Sequence, residues 1–251
     1  MKIQVLASSS KGNSTYINID DKNILIDVGL GYTDIVEKLE KINIKPNDID
    51  TILITHAHTD HIKSLYPFYR KHKAKIYISN ETYKELPDQI KEKVKTYYPV
   101  EELENIDDIK ITKIPISHDK KGFGFVLETN KESLAYITDT GMIHQRYHKY
   151  LENKTAYIIE SNHDVEMVMN GTKDHRTKIR NIGDSGHLSN NDCANYLTKF
   201  IGNKTKTIFL AHISEHDNTY ELAYNTTRNK IDKNIDVILT HNSNPTNLVE
   251  I

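Results

Sequence analysis

His56-Ala57-His58-Thr59-Asp60-His61 packs three imidazoles and a carboxylate into six residues, directly behind the apolar run Ile52-Leu53-Ile54. Nitrogen and oxygen donors of this kind suit zinc, and equally manganese or iron, whereas a structural zinc site is usually built with cysteine thiolates. The plainer reading is a polar helix-start loop with Thr59 or Asp60 as its N-cap. That reading gives three clustered histidines nothing to do, so the segment is taken as a metal loop. Alone it cannot close a coordination sphere around two ions, and the remaining ligands must come from elsewhere in the chain.

Composition narrows the setting. The 251 residues suffice for one large domain with its own core, and no linker, low-complexity tract or repeat interrupts them, so 1–251 is read as a single domain. Lys and Arg number 33 against 35 Asp and Glu, and the resulting formal charge of -2 argues against a chain-wide nucleic-acid coat. A local basic groove stays compatible with it. The single cysteine, Cys193, excludes an internal disulfide and a cysteine-rich zinc finger and suits a reducing compartment, so the cytoplasm is expected. No run approaches the ~18 apolar residues of a membrane span.

Short β-rich runs are predicted at 3–7, 15–19, 23–27, 51–55, 75–78, 109–114, 123–128, 134–138, 156–160, 207–211 and 236–240. Helical periodicity covers 33–43, 61–71, 190–201 and 219–231. Early strands are joined by tight turns such as Asp20-Asp21-Lys22-Asn23 and later ones alternate with helices, which predicts a mixed α/β chain. Several chemically active side chains fall at strand ends: the metal loop after 51–55, His118 after 109–116, Asp139 after 134–138 and His212 after 207–211. His56, His58, Asp60, His61, His118, Asp139 and His212 can therefore meet at one sheet rim, where two divalent cations would polarise a substrate oxygen and supply hydroxide near neutral pH. His241 ends a further strand and competes with His212. His72, His144, His148, His175 and His216 are left as surface or core histidines.

Taken together these residues resemble the metallo-β-lactamase superfamily, whose hallmark His-x-His-x-Asp-His is present at His56 to His61. Within it, Ser8-Ser9-Ser10-Lys11-Gly12-Asn13-Ser14, Ser117-His118-Asp119, Thr138-Asp139-Thr140-Gly141, Glu160-Ser161-Asn162-His163-Asp164, Gly186-His187-Leu188-Ser189 and Ala211-His212-Ile213-Ser214 look like the YycJ (WalJ) family. The resemblance implies a four-layer αββα sandwich with two mixed β-sheets and a dinuclear site. It implies that His56, His58 and His118 hold one ion, Asp60, His61 and His212 the other, and that Asp139 bridges, with zinc or manganese, or else iron, as the metal. Asp27 matches the position that braces the metal loop from behind. Asp60, His163 and His187 are the catalytic candidates, the two histidines by matching family motifs outside the general superfamily set, where they suit substrate contact or proton donation. Residues 169–182 depart from the apolar and aromatic character of this stretch in the family, which bears on substrate choice.

YycJ-like proteins are regarded as DNA exonucleases, so the resemblance implies phosphodiester hydrolysis on nucleic acid. Two basic groups agree with it: Lys63, Arg70, Lys71, Lys73 and Lys75, and then Lys173, Arg176, Lys178 and Arg180. A cyclic-nucleotide phosphodiesterase, including one that degrades antiviral nucleotide signals, is the alternative, a thioester or lactone hydrolase the third reading, and an inactive metal-binding scaffold the last. A homodimer is left open, with a nucleotide pocket completed by a second subunit as the case that would need one.

Overall fold

Asp20 and Asp21 adopt left-handed φ values of 49° and 59° and form a two-residue turn between two antiparallel strands. Successive left-handed residues match the right-handed twist of the flanking strands, and Asp tolerates that conformation better than most side chains. The hairpin expected there is present. The computed structural model describes residues 1–251. In chain order its first elements are β1 (Lys2–Ala7), β2 (Ser14–Ile19), β3 (Lys22–Ile26), α1 (Tyr32–Glu40), β4 (Thr51–Leu53), α2 (Thr59–Ile62) and α3 (Leu65–Lys71). Then come β5 (Lys75–Ile78), α4 (Asn80–Glu85), α5 (Asp88–Lys91), β6 (Tyr98–Pro99), β7 (Asn105–Ile106) and β8 (Ile109–Pro115). The later elements are β9 (Phe123–Glu128), β10 (Ser133–Ile137), α6 (His148–Leu151), β11 (Ala156–Glu160), α7 (Val165–Asn170), α8 (His175–Ile182), α9 (Asn190–Phe200), β12 (Thr207–Ala211), α10 (Tyr220–Arg228), β13 (Asp236–Leu239) and β14 (Val249–Glu250).

The chain divides into two compact units, the first holding 1–111, 120–123 and 242–250, the second 112–119, 124–241 and 251. In the first, a seven-stranded sheet runs β14-β1-β2-β3-β4-β5-β6, antiparallel from β14 to β3 and parallel from β3 to β6. Leu6, Leu25, Ile52, Ile62, Leu65 and Phe68 belong to its buried apolar cluster. The other seven-stranded sheet runs β13-β12-β11-β10-β9-β8-β7, with β10 to β13 parallel. Strands β10, β11 and β12 are buried along their whole length and read as continuous apolar runs, as strands covered on both faces must. Ile137, Ile159, Leu210 and, from α9, Leu197 and Phe200 share the second cluster, where the Cys193 thiol is also buried.

One helix is expected over 61–71, but two are present. Pro67 lacks an N–H, and in a continuous helix its ring would clash with the carbonyl four residues earlier, at Lys63. The chain breaks at Ser64, whose N–H donates to Val28 O at 2.9 Å and whose hydroxyl donates to Leu30 O at 2.6 Å. By contrast α9 and α10 start at the expected points, because Ser189 and Thr219 side chains accept from the N–H groups of Asp192 and Leu222 and cap them. Residues 165–182 carry no helical expectation, yet form α7 and α8, each opened by an aspartate cap, Asp164 and Asp174. No helix is long and apolar enough to cross a membrane.

Candidate metal-binding site

In the first unit the metal loop begins where β4 ends. The Ile54 N–H still bonds to Tyr77 O, but the Thr55 N–H turns to Asp27 Oδ1 at 2.8 Å, so a carboxylate replaces the sheet ladder and the chain leaves the sheet. Asp27 Oδ2 accepts from the Thr55 hydroxyl at 2.8 Å and from His61 Nδ1 at 2.7 Å. That fixes the His61 ring and leaves Nε2 as its acceptor face. Nε2 of His61 and Oδ2 of Asp60 converge on one donor, the Asn13 amide nitrogen, at 3.0 and 3.1 Å. His56 Nε2 lies 2.9 Å from His58 Nδ1, and the His56 and His61 rings are 4.0 Å apart. The loop is clasped from behind, since Asn13 N donates to Asp60 O at 2.7 Å and Gly29 N to Asn13 O at 2.8 Å.

Gly29 is obligatory here, because a Cβ on it would stand 1.5 Å from Asp60 O. Gly29→Ala is expected to cost about 3 kcal/mol through overpacking, read as a lower urea midpoint with an unchanged slope.

In the second unit the organising residue is Glu160, which ends β11 and is fully buried. Its Oε1 accepts from His187 Nδ1 at 2.7 Å and His212 Nδ1 at 2.9 Å, and its Oε2 accepts from the N–H groups of Thr140 at 3.0 Å and Leu188 at 3.2 Å. Burial works to raise this carboxyl, but the charges and hydrogen bonds of His187 and His212 win and hold it down to about 2. Asp27, equally buried, is raised: desolvation dominates because only one imidazole and Thr55 offset it. The difference follows from donor count. Asp139, Glu160, His187 and His212 each offer a ligand atom within 4.8 Å of the others. His118 joins through its neighbour, with Nδ1 3.2 Å from Gly186 O and its ring 5.1 Å from that of His187.

Both units use the same backbone device at strand ends. Asp27, one residue past β3, Asp139, two past β10, and His212, one past β12, have left-handed φ values of 61°, 56° and 54°. Non-glycine residues hold this conformation at a cost, and it turns the side chain away from its strand's pleat.

The strand-end candidates therefore converge within each unit, His56, His58, Asp60 and His61 in one and His118, Asp139 and His212 in the other, where His187, a candidate by its motif, joins them. His241 lies against the ring of Tyr220 at 4.7 Å. His163 is 1% exposed, neither of its ring nitrogens has a hydrogen-bond partner, and burial lowers its pKa. Reading the sequence missed Glu160 and Asn13. The signal for Glu160 was available: it ends an apolar strand just as His118, Asp139 and His212 follow theirs, and the register Glu160↔Ala211 sets it beside His212.

The donor chemistry fits a divalent cation. Imidazole nitrogens and carboxylates are present without thiolates, and Asp27 and Glu160 hold the Nδ1 atoms of His61 and His212 so that each ring has one nitrogen for a ligand. The sequence model of the metallo-beta-lactamase superfamily matches residues 10–212. This chain belongs to that superfamily. Within the superfamily it is 36% identical to the exodeoxyribonuclease WalJ of Streptococcus pneumoniae serotype 2, over 92% of this chain and 88% of that protein. It is also 36% identical to the exodeoxyribonuclease YycJ of Bacillus anthracis, over 89% and 86% of the two chains. Among solved structures, the metallo-beta-lactamase fold protein YhfI of Bacillus subtilis aligns with a TM-score of 0.71 over 98% of both chains at 15% identity. Human tRNase Z, short form, aligns at 0.68 over 100% of both, also at 15%. Two mixed sheets flanked by helices are thus the metallo-beta-lactamase fold, as expected, and the superfamily together with these clusters points to divalent metal.

Proposed function

We propose that this protein is a metal-dependent exodeoxyribonuclease working through two divalent cations, zinc or manganese, with both units forming one catalytic domain. The observation that carries the reading is the pair of carboxylate-held histidines, Asp27–His61 and Glu160–His212, in a chain 36% identical to WalJ and YycJ across most of its length. One family model spanning 10–212 supports the single domain. His56, His58 and His118 would hold one cation and Asp60, His61 and His212 the other, with Asp139 between them. When bound, such cations supply Lewis acidity and a water acidified to near neutral pH.

The remaining work belongs to the protein's own groups. His187 donates its Nδ1 hydrogen to Glu160, so a protonated ring would carry its transferable proton on Nε2, suited to the leaving alkoxide. His163, enclosed and kept neutral by burial, is the weaker candidate for that step. A cytoplasmic setting agrees with the one buried cysteine.

The test offers linear duplex DNA, single-stranded DNA, a cyclic mononucleotide and a thioester in parallel, with Mn or Zn. Shortening of DNA ends is expected and the other two substrates should survive. Asp60→Ala and His61→Ala should each lower the DNA rate by about 10²–10³-fold. Full activity in either variant sinks the two-cation reading, and cleavage of the cyclic nucleotide alone sinks the exonuclease.

A further inference from the structure

The chain carries a net charge of -2, yet residues 173–182 hold four basic side chains and one acidic one. Three of the four basic groups are on α8, and their surroundings sort them. Lys173 is neutralised by Asp217 at 2.5 Å, and Lys178 Nζ donates to Met169 O at 2.8 Å. Arg176 and Arg180 are exposed, and their guanidinium groups form no ion pair or hydrogen bond. Spaced i,i+4, they share one face of α8, about 6 Å apart along its axis. Asp174 is committed to capping Thr177, Asp184 lies past the helix end, and Glu166 is on α7. The other basic group behaves differently: Lys71 sits over the Tyr32 ring at 3.9 Å and Arg70 over Tyr66 at 5.8 Å.

What gives α8 its meaning is where it ends. His187 N donates to Asn181 O at 3.0 Å, and the chain from Gly183 to Gly186 folds back on the last turn so tightly that a Cβ on Gly186 would stand 2.2 Å from Arg180 O. Gly186 O in turn meets His118 Nδ1 at 3.2 Å, and a Cβ on Gly141, two residues past Asp139, would meet Gly183 O at 2.3 Å. The helix is thus bolted at its C-terminal end to the backbone that carries His187, and Arg180 and Arg176 lie at successive turns leading away from it. Between them Ile179 is 47% exposed and offers an apolar contact.

The geometry points to α8 as a phosphate-tracking ridge, in which Arg180 and then Arg176 hold backbone phosphates of a DNA strand whose end lies at His187. This rests on the exonuclease reading and adds the subsite that would favour a polymer over a mononucleotide. With arginine against phosphate, the contact is independent of sequence and dependent on salt.

The test pairs a binding and a cleavage measurement on the Arg176→Ala/Arg180→Ala double variant. Binding of a fluorescent, phosphorothioate-protected single strand is titrated between 50 and 200 mM salt, with a duplex in a parallel arm. Losing two contacts should flatten the log–log salt slope by about 1.4 and raise KM for DNA about tenfold or more. The rate on bis(p-nitrophenyl) phosphate, which has a single ester and no flanking phosphates, should stay within about twofold, on the reading that α8 contributes binding alone. Arg176→Lys/Arg180→Lys should recover part of the slope, since lysine keeps the point charge. A wild-type slope in the alanine variant overturns the proposal, as does an equal loss on the small ester, which would mean that α8 acts by supporting His187. Should the double variant fail to fold, Arg176→Ala alone, a turn further from the junction, is read in the same way. If the wild-type protein leaves DNA uncut, the exonuclease reading falls while the binding titration still decides the ridge.

Discussion

Glu160→Ala is expected to lower metal affinity by about 10–100-fold and to cost about 3–5 kcal/mol of stability. One carboxylate serves four donors, namely the Nδ1 atoms of His187 and His212 and the N–H groups of Thr140 and Leu188. Truncation leaves all four buried or half-buried without that acceptor, and an unsatisfied buried donor loses far more than the net worth of the bond it made. The two histidines are then free to rotate or to take the other tautomer, which would displace the His212 nitrogen proposed as a ligand and the His187 ring proposed as proton donor. Glu160→Gln separates the two effects. The amide has the same shape but only one acceptor oxygen, so stability should fall less, while its NH2 must face either the two imidazoles that share Oε1 or the Thr140 and Leu188 N–H groups that share Oε2. Metal content by mass spectrometry and urea unfolding of the metal-free protein read these separately. Wild-type metal loading in both variants would remove Glu160 from the site.

The second large effect is expected at Asp27. Its carboxylate both starts the metal loop, by capturing the Thr55 N–H, and orients His61, and its backbone is left-handed at φ 61°. Asp27→Ala removes all three functions, since alanine is strained at that φ, and should cost about 3 kcal/mol or more along with metal. Asp27→Asn keeps the turn, because Asn tolerates the left-handed region, and isolates the charge. Its amide can still accept from Thr55, but it no longer holds His61 by a charge-assisted bond, so metal affinity should drop about 10–100-fold with little loss of fold. Circular dichroism against metal titration gives the comparison. Equal metal affinity in Asp27→Asn and the unchanged protein would show that shape, not charge, is what His61 requires.

Much of this site could be read in the sequence because it obeys a local rule. Parallel strands deliver their C-terminal ends to a common rim, and a histidine or aspartate just past a buried apolar run is a visible sign of it. That sign located His118, Asp139 and His212 within the second unit's cluster or beside it, and the hexapeptide carried its own evidence. The same rule applied to Ala156–Glu160 would have found Glu160. The helix break at Ser64 was legible too, in Pro67, whereas the periodicity of 61–71 hid it.

The rest depended on contacts between residues distant in sequence. Element order, the mixed sheets, the metal loop and the nitrogen and oxygen character of the donors follow from patterns that span a few residues each, so the chain alone determines them. Glu160 shared between two imidazoles, Asn13 facing Asp60 and His61, and α8 fastened to the His187 turn were decided only by the tertiary structure. Asn13 and His61 are separated by 48 positions and Glu160 and His212 by 52, and strand register, not local periodicity, brings such partners within hydrogen-bond reach.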